Sequence, residues 1–353
     1  MEFLDYLNNI NKHTYHPDND CKSKFKIKDI FNDHWYSFLN DNPHLEIRPV
    51  VHSEVKKMMG CGSLSNGYAV YSCENCNNYL FVPFTCKSRF CTSCGSKYSL
   101  DRADTISKKA INCPHRHITF TIHKSLRPLF QKDRTLLNLL FEAVSSTILS
   151  WFYEQNHKEN FTPGFISTLH TFGRDLKWNP HIHVLITEGA AGNFTPWKKF
   201  ECFPYIMLRN RFQTTLLSLL ENHFGKQNFK PLKKHIYKTS SNGFYVHAPK
   251  IKARNIKSTV KYVIRYSGKP AMAQSRISDK YFNVVRYYGL YAKKHKHSDK
   301  FIYMLKSHVA SFRKQFGNWR CRIILNFKQD PLKCSCGHTF HFDYITNIGY
   351  NTS

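Results

Sequence analysis

Between Pro128 and Phe152, apolar residues return every three or four positions: Leu136, Leu137, Leu140, Phe141, Val144, Ile148, Trp151 and Phe152. That spacing predicts a long helix with one apolar stripe. Residues 203–224 repeat the pattern through Phe212, Leu216, Leu217 and Leu220, and residues 26–60 through Ile27, Ile30, Phe31, Trp35, Phe38 and Leu39, with a break at Asn42-Pro43. Elsewhere the period falls to two. His115-Arg116-His117-Ile118-Thr119-Phe120-Thr121-Ile122 alternates, so a strand there carries His117, Thr119 and Thr121 on one face. Shorter strands are predicted over 165–170, 181–186, 244–248 and 281–291, with loops at Gly164, Gly189, Gly192 and Pro196. The order strand, helix, hairpin, helix, strand, helix predicts an α+β fold: an antiparallel sheet with flanking helices.

Within the predicted hairpin, His181-Ile182-His183 puts two imidazoles on one face while Ile182 and Val184 point to a core. Pro180 is tolerable only at a strand start or an edge. His170 lies eleven residues before His181. If the polar stretch 173–179 is the turn, the strands pair antiparallel and His170 reaches the same face. Three imidazoles then bind a divalent metal and leave positions open for substrate. An isolated His-x-His pair is as often half-exposed decoration; the third histidine is what favours a site.

Cysteines add a second kind of metal chemistry. Cys61 precedes Cys73-Glu74-Asn75-Cys76, Cys86 and Cys91-Thr92-Ser93-Cys94. Two C-x-x-C knuckles fourteen residues apart have structural zinc spacing, so Cys73, Cys76, Cys91 and Cys94 are expected to share one ion. Cys61 and Cys86 are left to a second metal or to packing, with the metal role favoured. Near the C-terminus, Cys334-Ser335-Cys336-Gly337 is one residue short of a knuckle. C-x-C alone cannot complete a site, with His338 and His341 as the nearby helpers.

Charge then narrows the partner. The chain has 353 residues, 52 Lys plus Arg against 24 Asp plus Glu, and a net charge of +28. That excess implies a polyanion, nucleic acid before an anionic membrane surface. No run of about 18 apolar residues argues for a membrane span, and residues 1–5 do not resemble a signal peptide. The reading is a cytoplasmic protein with reduced or metal-bound cysteines. Arg89 and Lys97, set among aromatics beside the knuckles, are the expected DNA contacts there.

A helix over 258–266, capped by Ser258 and stopped by Gly268 and Pro270, places Tyr262 and Tyr266 on one face. Lys261, Arg265 and Lys269 surround them with positive charge, which favours phenolate and holds phosphate. In a chain with 20 tyrosines, Tyr-x-x-x-Tyr alone is better explained by packing. Beside a His-metal site and a +28 charge, it points to nucleophiles that take a DNA phosphate covalently and free a 3′-hydroxyl.

With these residues in view, the chain resembles the HUH endonucleases, and more closely the two-tyrosine rolling-circle transposases of the insertion sequence 91 family. The resemblance covers roughly residues 45 to 340. It rests on motif order: the six-cysteine segment ending Ser88-Arg89-Phe90-Cys91-Thr92-Ser93-Cys94, the strand Ile118-Thr119-Phe120-Thr121, Leu169-His170-Thr171-Phe172-Gly173 leading to Asn179-Pro180-His181-Ile182-His183, Tyr262 to Tyr266 with Gly268-Lys269-Pro270-Ala271, and Val285-Arg286-Tyr287-Tyr288-Gly289. Lys269 stands where the family usually has Arg. The resemblance implies an HUH-type sheet beside a tyrosine-bearing helix, with Mg²⁺ or Mn²⁺ at His181 and His183 and single-stranded DNA at element ends and target as substrate. It matches His170 to the third ligand of relaxases. Imidazoles suit Mn²⁺ better than Mg²⁺. No P-loop is present, so unwinding falls to a host helicase or the replication machinery.

Three domains are expected: a helical and Cys-rich zinc-binding DNA-binding domain over 1–112, an HUH catalytic domain over 113–300, and a basic tail over 301–353, within which 301–316 reads as a basic helix. Two other functions compete with transposition. One is a plasmid relaxase or replication initiator with the same chemistry. The other is a non-catalytic zinc-dependent DNA-binding protein. A His-metal hydrolase is weaker, because no carboxylate accompanies the pair as general base.

Overall fold

The computed structural model describes residues 27–88, 90–109, 111–173, 177–200, 202–247, 285–292, 319–320, 323–324 and 330–346. The predicted helix carrying Tyr262 and Tyr266, with Lys261, Arg265 and Lys269, lies outside them, as do Arg89 and the basic helix expected over 301–316. The chain is α+β and divides into two compact units; of the described residues, the first takes those up to Tyr98 and those from 319 on, and the second those from Ser99 to 292.

The first unit opens with helices α1 (Ile27–Asp41) and α2 (Pro49–Met59). Asn42-Pro43 separates them, and Pro49 starts α2, where a missing N–H costs nothing. A hairpin follows: β1 (Tyr68–Ser72) and β2 (Tyr79–Pro83). Helix α3 (Thr92–Lys109) begins on the Cys91 knuckle. The C-terminal segment set apart as a tail by sequence supplies the third strand of this sheet. β9 (His341–Thr346) pairs antiparallel with β1, giving the order β2-β1-β9.

The second unit is built on strands β3 (His115–Thr121), β4 (Thr162–Phe172), β5 (Trp178–Ala191), the short β6 (Lys198–Lys199), β7 (Tyr245–His247) and β8 (Val285–Gly289). They form an antiparallel sheet of order β7-β3-β5-β4-β8, with β6 on β5. Short α4 (Arg127–Lys132), then α5 (Leu137–Gln155) and α6 (Tyr205–Phe224), pack on one face, and α7 (Lys226–Thr239) packs on α6. Ile118, Phe120, Phe165, Ile182 and Val184 point to those helices and meet Phe141, Phe152 and Phe212, all buried. Phe120 meets the Phe212 ring edge-on at 5.1 Å, a favoured aromatic geometry. By length and composition the helical stretch Arg134–Gln155 is apolar enough to cross a membrane, but 61% of its most apolar window is buried inside the protein. Arg116, also on the helix side, pairs with Glu188 at 2.6 Å and lies 4.7 Å over the Phe203 ring.

The β4–β5 hairpin pairs His170 directly with His181, so the third histidine reaches the face expected for it. Pro180 is accommodated because the ladder is irregular there. Between the His170–His181 and Phe172–Trp178 pairs, one residue of β4 opposes two of β5, so a missing N–H breaks no regular pair.

Candidate metal centre

The sheet has a second face, turned away from α5 and α6, and the register decides what it carries. His183 sits opposite Thr119 on β3 and Thr168 on β4, and His181 opposite Thr121 and His170. His247 and Tyr245 on β7 oppose Thr119 and Thr121, and Val285 on β8 opposes Thr168. Residues directly opposite point to one side. All of these side chains therefore share the face, together with His117, two residues from Thr119, and Tyr287, two from Val285.

At its centre, one ring nitrogen from each of His170, His181 and His183 lies within 4.8 Å of the others. The His170 and His183 rings are 4.3 Å apart. A cation held at about 2.1 Å by imidazole spaces its ligands by roughly 3.0–3.5 Å, a difference that small side-chain rotations close. Hydrogen bonds orient the rings. His181 Nδ1 lies 2.7 Å from the Asn179 carbonyl and donates to it, which leaves Nε2 as the ligand atom. His183 Nδ1 lies 2.7 Å from His117 Nε2 and 3.2 Å from Thr119 Oγ1. If His183 ligates through Nε2, its Nδ1–H donates to His117, which must then be neutral. Burial, with His247 and His181 nearby, holds His117 down at about 4. Burial, then His170, His181 and His117, pushes His183 down as well. Neutral imidazole is the form a cation needs. The residues fit a divalent ion.

Sequence puts His117 on one face of its own strand with Thr119 and Thr121, but neither that face's place beside the hairpin histidines nor the bond to a ligand is foreseen, since no local pattern makes β3 a neighbour of β5. A further buried imidazole, His115, donates from Nδ1 to the Cys113 carbonyl and accepts from the Tyr291 hydroxyl at 2.5 Å. Burial keeps the Tyr291 phenol protonated, so it locks the sheet edge rather than acting as a nucleophile.

In the first unit the cysteines group differently from the expected Cys73, Cys76, Cys91 and Cys94 set. Cys91 and Cys94 join Cys61 and Cys86, while Cys73 and Cys76 join Cys334 and Cys336. The hairpin explains the separation. Cys73 and Cys76 form its turn, whereas Cys61 and Cys86 flank its open end, where the Gly62 amide donates to the Phe84 carbonyl. Five-residue strands put those two ends about 17 Å apart. Around Cys61, sulfur–sulfur distances to Cys94 and from Cys94 to Cys86 are both 3.6 Å. Four thiolates at about 2.3 Å from zinc are spaced by about 3.8 Å, whereas a disulfide needs about 2.05 Å. Hydrogen bonds from Cys61, Cys86 and Cys91 push the Cys94 thiol down, so the cluster sheds a first proton readily. Lys97 is exposed on the first turns of α3.

Comparison with known proteins agrees with this layout. Residues 30–122 match a family model described as "Transposase zinc-binding domain", and residues 164–281, which include His170, His181, His183 and both tyrosines, match one described as "Putative transposase". The "Transposase for insertion sequence element IS801" of Pseudomonas savastanoi pv. phaseolicola is 30% identical over 268 residues, 71% of this chain and 63% of that protein. The chain belongs to the insertion sequence 91 family of transposases. A second relative in keeping with that family, "Putative transposase y4qJ" of Sinorhizobium fredii (strain NBRC 101917 / NGR234), is 24% identical over 257 residues, 68% of this chain and 63% of that protein. The chain thus spans 63% of the length of each curated relative. No solved structure matches it significantly. The zinc-binding domain characteristic of the family, together with the four-cysteine clusters, supports structural zinc in this member.

Proposed function

We propose that this transposase nicks single-stranded DNA at the ends of its element and joins it to a target through a 5′-phosphotyrosine intermediate. One observation carries the reading: His170, His181 and His183 converge on one face of a sheet whose opposite face is the core. They would hold Mg²⁺ or Mn²⁺, and when bound the ion supplies charge stabilisation at a phosphodiester.

The chain's own groups do the rest. Tyr262 or Tyr266, assigned from their spacing and the family resemblance, attacks phosphorus as phenolate. The P–O3′ bond breaks and the 3′-hydroxyl leaves with a proton, while the 5′-phosphate stays on the tyrosine. Phosphoester energy is retained, so the 3′-hydroxyl of a second strand reverses the step, and two tyrosines hold two strands in succession. Lys261, Arg265 and Lys269 contact phosphate beside the tyrosines, and Arg89 and Lys97 contact DNA from the zinc-binding module. Strand separation falls to a host helicase or the replication machinery, in the cytoplasm where the DNA lies. The domain limits follow the same division, a DNA-reading module up to residue 112 and the chemistry in 113–300.

The test is incubation with single-stranded element-end oligonucleotides and Mn²⁺, read as a denaturation-resistant protein–DNA adduct. Tyr262→Phe with Tyr266→Phe is expected to abolish the adduct and retain DNA binding. Tyr245→Phe and Tyr287→Phe, which remove the described phenols on the histidine face, are expected to leave it. An adduct that survives the first pair, or maps to Tyr245 or Tyr287, refutes the assignment.

A further inference from the structure

The second cysteine cluster joins parts of the chain that sequence keeps far apart. Cys76 Sγ lies 3.4 Å from Cys334 Sγ across 258 residues, and Cys73 Sγ lies 3.6 Å from Cys336 Sγ. Both pairs sit on tight turns. The Asn77 amide donates back to the Cys73 carbonyl at 2.8 Å, with Asn77 at φ 55°. The Gly337 amide donates to the Cys334 carbonyl at 3.0 Å, with Gly337 at φ 88°, inside a small loop closed by the Lys333–Thr339 bridge. The sulfur spacings are near the edge of a zinc–thiolate tetrahedron and far above a disulfide. The flanking strands are in register with the site: Ser72 opposes His341, and the Ser72 hydroxyl donates to Asp343 at 2.7 Å.

We infer that Cys73, Cys76, Cys334 and Cys336 hold a second structural zinc, distinct from the one at Cys61, Cys86, Cys91 and Cys94. It clasps the C-terminal knuckle and β9 onto the N-terminal hairpin. C-x-C is one residue short of a knuckle, but it completes a four-thiolate shell when a C-x-x-C faces it. The sheet that holds the N-terminal hairpin is then finished only when residues 334–346 have been made, after the whole histidine-bearing sheet. A metal cross-link closing so long a loop removes more freedom from the unfolded chain than one within a single hairpin. This inference is independent of whether the chain cleaves DNA.

The test uses the full-length, zinc-loaded protein under a phosphine reductant. Iodoacetamide is added and modification of each cysteine is followed by mass spectrometry, with and without chelator. Cys336 and Cys202 are both exposed, so burial shields neither. Cys202 is expected to react at one rate in both conditions. Cys73, Cys76, Cys334 and Cys336 are expected to react together, roughly tenfold or more slowly until the chelator is added, because a bound thiolate is a poorer nucleophile. Cys336 reacting as fast as Cys202 in the zinc-loaded chain overturns the site. Cobalt substitution gives an independent count. Two equivalents with thiolate-to-cobalt charge-transfer absorption are expected, falling to one in the Cys334→Ser/Cys336→Ser variant and to one in Cys61→Ser/Cys86→Ser. His338 Nδ1 is 3.7 Å from Cys336 Sγ. A second equivalent that survives Cys336→Ser but not its combination with His338→Ala overturns the four-thiolate set.

Discussion

His117 touches no ion in the proposed centre, yet its removal is expected to weaken Mn²⁺ binding. His183 can offer Nε2 to a cation only while its Nδ1 carries the proton, and the 2.7 Å contact with His117 Nε2 is what holds the proton there. His117→Phe keeps a ring in that place and deletes the acceptor. Outer partners of metal-bound histidines are typically worth 10–100-fold in affinity, about 1.4–2.7 kcal/mol. One feature of the structure places the single variant at the lower end. Thr119 Oγ1, 3.2 Å from the same nitrogen, remains as a substitute acceptor. His117 is only 5% exposed, so water does not easily take its place, and losing Thr119 as well should bring out the full effect. The expectation is about tenfold weaker binding for His117→Phe and about a hundredfold for His117→Phe with Thr119→Val.

The assay is calorimetric titration of Mn²⁺ into protein whose cysteine sites already hold zinc. His117→Gln provides the control, because its amide oxygen restores an acceptor and should recover most of the affinity. A double variant that binds Mn²⁺ as tightly as the parent would refute the orienting role, and so would a Gln variant no better than Phe.

Other expectations concern the scaffold. Glu188→Ala leaves the buried Arg116 guanidinium without its 2.6 Å partner and should cost about 3–5 kcal/mol in urea unfolding; a loss under about 1 kcal/mol would show the pair to be dispensable. Gly289 has φ 54°, and a Cβ there would sit 1.8 Å from the Pro163 carbonyl oxygen, so Gly289→Ala should destabilise by at least about 1–3 kcal/mol and free β8, seen as faster amide exchange at 285–289. Burial holds His115 down at about 4, against an ordinary 6.5. As pH falls below 6.5 the unfolded chain takes up this proton first, so His115 should cost up to about 3 kcal/mol of stability between pH 6.5 and 4 and nothing above. His115→Phe should flatten that slope, and an unchanged slope would show that another group carries it.

What the sequence made legible, and what it hid, divides along the range of the interaction. Period-two alternation puts His181 and His183 on one face, and a hairpin closed by the polar stretch 173–179 brings His170 to that same face, because a hairpin is local; the direct pairing of His170 with His181 is what the structure adds. The long helices α5 and α6 were equally plain from their apolar stripes. Helix α7 was missed because Lys226–Thr239 contains Pro231 and buries only Phe229 and Ile236. β9 was missed because His341–Thr346 lies mostly exposed and takes its order from β1, far away in the chain. The cysteines show the same limit more sharply. The natural assumption is that neighbouring C-x-x-C knuckles share an ion, yet a hairpin sends its turn and its open end in opposite directions. Each knuckle therefore needs partners from elsewhere. For Cys91 and Cys94 these are Cys61 and Cys86, near in sequence and already suspected. For Cys73 and Cys76 they are Cys334 and Cys336, which no spacing rule connects to them. A motif one residue short of a zinc knuckle is thus better read as half of a site, and the way to find the other half is to ask which other half-site in the chain still lacks two ligands.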